Sequence, residues 1–446
     1  MIHVRIKNMS CKLIQIVLLA SLVVTFGCEH KPYKTEITKW QNGKKAAVSL
    51  TFDDGYITQF TEALPIMNRL SMPATFFIIT GQIPGSQYEG KFIGRPVREI
   101  IRETATITTN KDNFFERASA IGYLGYQGTL EYHANAGGVY DESNGSKAED
   151  AYKIIDEGFA KIRTGHFKPK PIQDDRSGVT WDEIKTYAGQ GHEFASHTVT
   201  HPRLAVLDEV NLLYELEKSK EEILNHLGPK YTFSAECPYG TENERVMQYA
   251  YKIYPALRNR MPEPFLEELN RSSQMDPGTS KKEYVQWQRG ATTKTPLPLM
   301  KSWVDTVATH DNNWLVLVFH GVDGIGYEAL SHELLDEYFQ YIKDRNQDLW
   351  ITTFADATKY MRERMGTDVN LVETDGSLNI TLTNMLDKTM YSLPLTLKSY
   401  VPDDWESVNV RQSGNEKTIQ SQKDEAGSYV IYQALPDGEV IELSEK

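Results

Sequence analysis

Two neighbouring carboxylates stand at the end of a short apolar segment near the start of the chain. Residues 46–56 read AAVSLTFDDGY, so Asp53 and Asp54 follow a run that fits a buried β-strand, and Gly55 permits a sharp turn. Adjacent side chains on an extended backbone point in different directions. One carboxylate can therefore bind a metal ion while its neighbour faces a substrate. The alternative is that Asp-Asp-Gly is simply a turn.

Three histidines decide between these alternatives. His197 and His201 are four positions apart in SHTVTH, and His320 directly follows the apolar run WLVLVF at residues 314–319. Imidazole is a common ligand for divalent metals, and a helical or turn-like backbone brings a pair at this spacing to one side. Strand-end carboxylates, a His-x-x-x-His pair and a strand-end histidine together favour a metal-dependent hydrolase.

The combination of TFDDG, SHTVTH and LVLVFHG resembles the polysaccharide deacetylases of carbohydrate esterase family 4, also called the NodB-homology family. The segment WDEI at residues 181–184, just before GHEFASH, fits the order of that family. The resemblance covers residues 46–364, apart from a long insertion. It implies an α/β fold, a distorted (β/α) barrel with fewer strands than a full eight. It also implies a polysaccharide or oligosaccharide substrate and a divalent metal, with zinc as the first expectation and cobalt or nickel as alternatives.

The same resemblance assigns a role to each matching residue. Deacetylation requires water as a nucleophile, stabilisation of a tetrahedral oxyanion, and a proton for the leaving nitrogen or oxygen. The implied roles are metal ligation by Asp54, His197 and His201, proton abstraction by Asp53, proton donation by His320, and an oxyanion contact from the backbone N–H of Tyr239.

One position departs from the family pattern. The family has an arginine two residues before the proline of its Arg-x-Pro-Tyr-Gly motif, where it holds the catalytic base. Residues 236–240 read ECPYG, so Glu236 stands at that position. A carboxylate near Asp53 would raise the pKa of Asp53 rather than orient it. Either another cation holds the base or the base works differently, and Glu236 could also be an ordinary strand residue that points away from the site. The residues predicted to orient the base or bind substrate are Arg289, Trp287 and Pro238, with Arg289 as the substitute cation.

The composition and net charge of the chain limit the classes of partner that it is expected to bind. The chain has 446 residues, of which 40% are hydrophobic and 24% charged, as in an ordinary globular protein. Its formal net charge of -13 argues against nucleic acid or an anionic membrane surface as the main partner. A neutral or cationic substrate agrees better with that charge.

The N-terminus has the pattern of an export signal. Arg5, Lys7 and Lys12 precede a largely apolar stretch at residues 13–26, and a glycine then precedes Cys28. This resembles a bacterial lipoprotein processing site, with Cys28 as the lipidated residue that links the protein to a membrane. We expect an exported protein, either an outer-membrane or cell-surface lipoprotein, or else a periplasmic or secreted protein.

The insertion and a glutamate-rich predicted helix differ in composition from the rest of the chain. The Tyr- and Gly-rich insertion is expected to form a subdomain over the strand-end face, where its tyrosines either stack on sugars or pack a small core. His133 in this insertion is expected to be a packed or surface residue rather than a metal ligand. Glu215 and its neighbouring glutamates on a predicted helix are expected to form a solvated face. The predicted organisation is a signal peptide at residues 1–27, a linker at 28–45, the barrel at 46–365 with the insertion at about 81–178, and a small antiparallel β-domain, sandwich-like, at 366–446.

These observations predict a metal-dependent hydrolase of the bacterial cell surface that cleaves the C–N amide or ester bonds of an acetylated polysaccharide. A GlcNAc polymer, peptidoglycan and a xylan-type glycan stay open as substrates, because N- and O-deacetylation use the same chemistry. The alternative, supported by Glu236, is a catalytically impaired glycan-binding protein on the deacetylase scaffold. An unrelated metal amidohydrolase is disfavoured, because the sequence has no early His-x-His.

Overall fold

The structure is a computed structural model that describes residues 33–126, 128–167 and 178–446. The predicted signal peptide and Cys28 lie outside these residues. Among the residues described, no helix is both long and apolar enough to span a membrane. The strands before residue 352 are β1 (Thr35–Ile37), β2 (Ala46–Asp54), β3 (Ala74–Ile78), β4 (Glu193–Ser196), β5 (Ser234–Ala235), β6 (Ala256–Leu257), β7 (Leu266–Leu269), β8 (Tyr284–Gly290), β9 (Asn313–Phe319) and β10 (Leu349–Ile351).

Helices alternate with these strands along the chain. A π-helical turn at Gln59–Ala63 leads into the first of them, and Pro65, which has no N–H to donate, lies two residues after this turn. The helices are α1 (Leu64–Leu70), α2 (Val97–Glu103), α3 (Phe114–Gly122), α4 (Thr129–Glu142), α5 (Ala148–Arg163), α6 (Trp181–Gly189), α7 (Glu209–Leu227), α8 (Glu244–Ile253), α9 (Leu297–Val307), α10 (His332–Lys343) and α11 (Phe354–Gly366).

A curled parallel sheet forms the centre of the molecule. Its strand order is β6-β5-β4-β3-β2-β9-β8-β7, and β10 pairs with the first residues of β2. Every residue of β2, β3 and β9 is buried, because helices cover one side of the sheet and the curl encloses the other. The apolar runs predicted as strands are therefore the middle of the sheet.

The strand count differs from the expectation. The described residues place nine strands in this sheet, whereas the resemblance implied fewer than eight. Strands β5 and β6 have two residues each, and β6 and β7 are the two edges, so the sheet is an open, distorted barrel. The α/β barrel class is confirmed.

Residues 33–45 are folded, although residues 28–45 were predicted to be a linker. Strand β1 pairs antiparallel with a strand of the C-terminal region. Trp40 is fully buried, and its indole N–H donates to the carbonyl of Asp311 at 2.9 Å. A large buried aromatic ring anchors this segment to the barrel.

The insertion is helical and has its own core. Phe114, Ile155 and Phe159 are buried between α3, α4 and α5, and tyrosines of these helices pack partly buried against them. The His133 ring donates from Nδ1 to the Ala118 carbonyl, at 2.9 Å, and its Nε2 accepts the N–H of Arg203. Burial lowers the pKa of His133 to about 4, so the ring is neutral and packed, as expected.

The C-terminal region is a β-sandwich. One antiparallel sheet has the order β1-β13-β17-β16 and the other β11-β12-β18-β14-β15, with alternate residues buried between them. These strands are β11 (Asp368–Thr374), β12 (Ser377–Thr383), β13 (Leu395–Tyr400), β14 (Ser407–Gln412), β15 (Asn415–Gln420), β16 (Gln422–Asp424), β17 (Gly427–Ala434) and β18 (Val440–Glu445).

Candidate active site

The carboxyl ends of the central strands bring the predicted residues together. Asp53 and Asp54 end β2, His197 follows β4, and His320 follows β9. Because parallel strands end at the same edge of a sheet, side chains distant in sequence meet there. Asp54 has a φ of 76°, in the left-handed region, so its carboxylate turns away from that of Asp53.

Asp54, His197 and His201 form a compact set of metal-type donors. The Oδ1 atom of Asp54 lies 3.5 Å from His197 Nε2 and 3.2 Å from His201 Nε2. Donor atoms about 2.0–2.1 Å from a tetrahedral zinc ion lie about 3.3–3.4 Å apart, so the spacing fits such an ion.

The carboxylates around His197 favour a positive charge at this position. Burial alone would lower the pKa of His197, but Glu236 and Asp54 outweigh burial and raise that pKa well above its usual range. Burial and then the neighbouring His197 lower the pKa of His201 to about 4.

A second combination of donors is less suitable for a metal. Asp53, His197 and Glu236 also lie close enough to share an ion. Both carboxylates, however, already contact the guanidinium of Arg258, at 2.6 Å for Asp53 and 3.1 Å for Glu236. Because Arg258 already neutralises Asp53 and Glu236, the set of Asp54, His197 and His201 is the better metal site.

The loop between the two histidines is held by a buried glutamate. Thr198 and His201 have φ values of 68° and 63°, which are unusual for residues other than glycine. Glu215 accepts the N–H groups of Val199 and Thr200 at 2.8 and 2.9 Å. It also accepts the Thr200 hydroxyl and, from the insertion, the Tyr123 hydroxyl, both at 2.7 Å. The expectation of a solvated glutamate face on α7 is therefore wrong for Glu215, which is fully buried because it caps this loop.

Arg258, not Arg289, holds the predicted base. Its Nη1 and Nη2 donate to the two oxygens of Asp53 at 2.6 and 2.7 Å, and Nη1 also donates to the Thr51 hydroxyl. Burial alone would raise the pKa of Asp53, but Arg258 and then His320 outweigh burial and hold that pKa well below its usual range. The base is therefore an ionised carboxylate, fixed through both of its oxygens.

The alternation of β8 explains why the Arg289 prediction fails. Gln286 and Gln288 face the interior, where both donate to the Arg258 carbonyl, so the residues between and after them face outward. Arg289 stacks on Trp287 with its guanidinium 4.3 Å from the ring centroid and donates to the Ser273 carbonyl. Trp287 is buried in the layer under the helices. Neither side chain reaches Asp53.

His320 lies opposite the metal donors. Its Nε2 is 3.4 Å from Asp53 Oδ2, and burial lowers its pKa, an effect that Asp53 and Asp54 partly offset. Gln59 donates to the carbonyls of both Asp53 and His320, at 2.5 and 2.7 Å, and so ties the two strand ends together. The ring of Tyr327 meets His320 edge-on and is 62% exposed.

Tyr239 lies on the other rim. Its φ of 63° places its ring 4.6 Å from that of His201, and the residue is 52% exposed. The Arg203 guanidinium covers the Tyr239 ring at 4.5 Å. Pro238 is buried at the start of this turn and shapes it rather than facing the cleft.

Three contributors were not predicted from the sequence. Gln59 and Glu215 sit in segments that were interpreted only as helices, and their polarity alone gave no signal. Arg258 directly follows strand β6, and the rule that chemistry gathers at strand ends could have identified it.

Comparison with known proteins agrees with this geometry. A family model for polysaccharide deacetylase matches residues 41–106 and 144–254. Gellan lyase from a Bacillus species is 22% identical over 268 residues, which make up 57% of this chain and 11% of gellan lyase. The chain thus spans a small part of that relative.

Solved structures of carbohydrate esterases also resemble the chain. The Xyl-CE4 domain of a multidomain xylanase from the hindgut metagenome of Trinervitermes trinervoides is 13% identical, covers 71% of this chain and 90% of its own, and has a TM-score of 0.33. Bacillus subtilis PdaA, a family 4 carbohydrate esterase, is 13% identical over 72% of this chain and 83% of its own, with a TM-score of 0.33.

The two segments of the family match include every predicted metal ligand. The first contains Asp53 and Asp54, the second contains His197, His201 and the turn of Tyr239, and the unmatched residues 107–143 fall within the helical insertion. Over the residues that supply the candidate metal ligands, the chain is therefore similar to the polysaccharide deacetylases, a family of hydrolases.

Proposed function

We propose that the protein is a metal-dependent hydrolase that removes acetyl groups from an N- or O-acetylated polysaccharide. The observation that carries this proposal is the position of Asp53. Its carboxylate is clamped by Arg258, while its neighbour Asp54 joins His197 and His201 in a donor set suited to zinc. A base fixed beside a metal site is the arrangement that hydrolysis of an acetyl group requires.

Each side chain has a separate task in this reaction. A zinc ion held by Asp54, His197 and His201 would supply a Lewis acid for water and the acetyl carbonyl. Asp53 takes a proton from water, and the two contacts from Arg258 keep it ionised and in one orientation. His320, 3.4 Å from Asp53 Oδ2, donates a proton to the leaving nitrogen or oxygen. The backbone N–H of Tyr239 would contact the developing oxyanion.

The rims of the site suit a sugar chain. Tyr239 and Tyr327 expose most of their surface on opposite sides of the histidines, and aromatic faces pack well against sugar rings. The tyrosines of the insertion are instead used mainly in its own core. Substrate contacts are therefore expected from these two rim residues.

The alternative of an impaired glycan-binding protein loses its support. It rested on Glu236 in place of the arginine of the family, and Arg258 supplies that cation from the next strand. No described contact favours binding without catalysis.

We also propose that the protein acts outside the cytoplasm as a lipoprotein. The support is the basic start, the apolar stretch and the Gly27-Cys28 pair in the sequence. Cells grown with a labelled fatty acid should give a labelled protein that Cys28→Ala abolishes. A protein that is exported without label would be secreted instead.

Acetate release tests the catalytic proposal. Protein from residue 29 onward is incubated with chitooligosaccharides, peptidoglycan fragments and acetylated xylan, with added zinc or with chelator. We expect zinc-dependent release from one of these classes and its loss in Asp53→Asn. A zinc-loaded protein that releases no acetate from any of them would overturn the proposal.

A further inference from the structure

Two opposite charges lie side by side at the ends of the shortest strands of the central sheet. Glu236 follows β5 and Arg258 follows β6. The register pairs Ser234 with Ala256 and Ala235 with Leu257, so Glu236 and Arg258 are the next pair. Both side chains are buried. Burying a charge is costly unless each charge is well paired, so such a pair needs an explanation.

Arg258 lies between the base and Glu236. Its two terminal nitrogens contact both oxygens of Asp53, and the flat guanidinium lies 4.8 Å from the ring of Phe77, which limits its movement. Its Nη2 also lies 3.1 Å from Glu236 Oε1. Arg258 therefore bridges two carboxylates, and only one of them belongs to the base.

The second carboxylate oxygen of Glu236 faces a metal ligand. Oε2 lies 2.8 Å from His197 Nδ1 as an ion-pair contact and accepts no hydrogen bond from the described residues. The backbone carbonyl of Glu236 is also near, at 3.1 Å from the same nitrogen. The backbone carbonyl of Glu236 thus accepts the hydrogen on Nδ1, and the carboxylate of the same residue lies beside it. With that hydrogen on Nδ1, the lone pair of His197 is on Nε2, the atom that faces Asp54.

We propose that Glu236 is a positioning residue for the metal ligand His197, and that Arg258 joins it to Asp53 in one buried network. Glu236 fixes the tautomer and the ring orientation of His197, while Asn259 donates to Oε1 of Glu236 at 2.7 Å and holds the carboxylate in place. The proposal rests on the metal-dependent function above. On this proposal, Glu236, which stands where the family has an arginine, contributes to metal binding.

Zinc affinity tests this proposal more directly than activity. Glu236→Gln keeps the shape of the side chain but removes its charge. We expect the affinity for zinc, measured by competition with a chromophoric chelator, to fall roughly 10- to 100-fold, as is typical when a group behind a metal-bound histidine is removed. The absorption spectrum of the cobalt-loaded variant should change as well, because the orientation of His197 is altered.

Glu193→Gln is the matched control. Glu193 is a buried glutamate of β4 that accepts the Thr75 hydroxyl and the Ala355 N–H, away from the metal donors. Its variant should keep wild-type zinc affinity and cobalt spectrum. If Glu236→Gln does not fold, Glu236→Asp, which keeps the charge but is one methylene shorter, should show the same direction of change.

The outcomes separate this proposal from the proposed function. If Glu236→Gln binds zinc within threefold of wild type and only its melting temperature falls, Glu236 is merely a counter-ion of Arg258 and the proposal is wrong. If wild type binds zinc but releases no acetate from any glycan, the proposed function fails, while the affinity difference still decides the role of Glu236.

Discussion

Glu215 offers a sharp test of how the metal loop is held. It is fully buried, and its two oxygens accept two backbone N–H groups and two hydroxyls. Replacing Glu215 with Met removes all four acceptor contacts while nearly keeping the volume. Replacing it with Gln keeps an oxygen for the N–H groups of Val199 and Thr200, and its NH₂ can donate to the Thr200 and Tyr123 hydroxyls, which can also accept.

The expected magnitudes follow from these contacts. A buried N–H without an acceptor costs about 1–3 kcal/mol. Val199 is buried, whereas Thr200 is half-buried and can recruit water, so Glu215→Met should lower the free energy of unfolding by about 2–4 kcal/mol. The left-handed backbone of Thr198 and His201 stores roughly 1–2 kcal/mol per residue. If the loop relaxes by that amount in the variant, zinc affinity should fall roughly tenfold, since about 1.4 kcal/mol corresponds to a factor of ten.

The assay compares both variants with wild type. Urea unfolding of the metal-free proteins gives stability, and chelator competition gives zinc affinity. Glu215→Gln should lie within about 1 kcal/mol of wild type in stability and within threefold in affinity. If Glu215→Met also keeps wild-type affinity, the loop does not depend on this clamp. If Gln and Met are equally damaging, the charge rather than the acceptor geometry holds the loop.

The remaining predictions concern the base and a buried histidine. Arg258→Lys keeps the charge but cannot reach both oxygens of Asp53, so kcat for acetate release should fall at least tenfold with zinc affinity within threefold; an unchanged kcat would refute the clamp. His192 accepts the Ala74 N–H on Nδ1, and burial lowers its pKa from 6.5 to about 4. The folded state then binds fewer protons than the unfolded state between these values, so His192 lowers stability as pH falls from 6.5 towards 4, by about 2 kcal/mol at pH 5. Unfolding of His192→Gln across this range should show a flatter pH dependence by that amount, and an identical slope would refute the assignment.

Much of the fold could be predicted because its strands are encoded by local pattern. The apolar runs before Asp53 and His320 are buried strands, and the C-terminal region predicted as a small antiparallel β-domain contains strands such as β12, in which alternate residues are buried. The pattern failed where burial depends on distant partners. Residues 35–37 are polar enough to read as a linker, but they pair with β13, more than 350 residues later in the chain.

The metal donors were predictable for a different reason. Two histidines four positions apart and two strand-end carboxylates indicated a metal site, and the family resemblance implied Asp54, His197 and His201 as its ligands. The donor atoms of these three residues lie close enough together to hold one ion. Glu215 has no such signature. A glutamate on an amphipathic helix usually faces water, and only the folded loop shows that two backbone N–H groups need its carboxylate.

Arg258 and Glu236 show that a residue missing from a motif position can be replaced by a residue from a neighbouring strand. In a parallel sheet the strand ends converge, so a charge needed beside Asp53 can come from any neighbouring strand whose next residue points inward. Here the cation beside Asp53 is Arg258, which follows β6. The neighbouring strand β5 is followed by Glu236, whose carboxylate lies against His197. Both charges remain paired, so the buried network carries no orphaned ion. The departure at position 236 is therefore better explained as a rearrangement of one buried network than as the loss of a catalytic part.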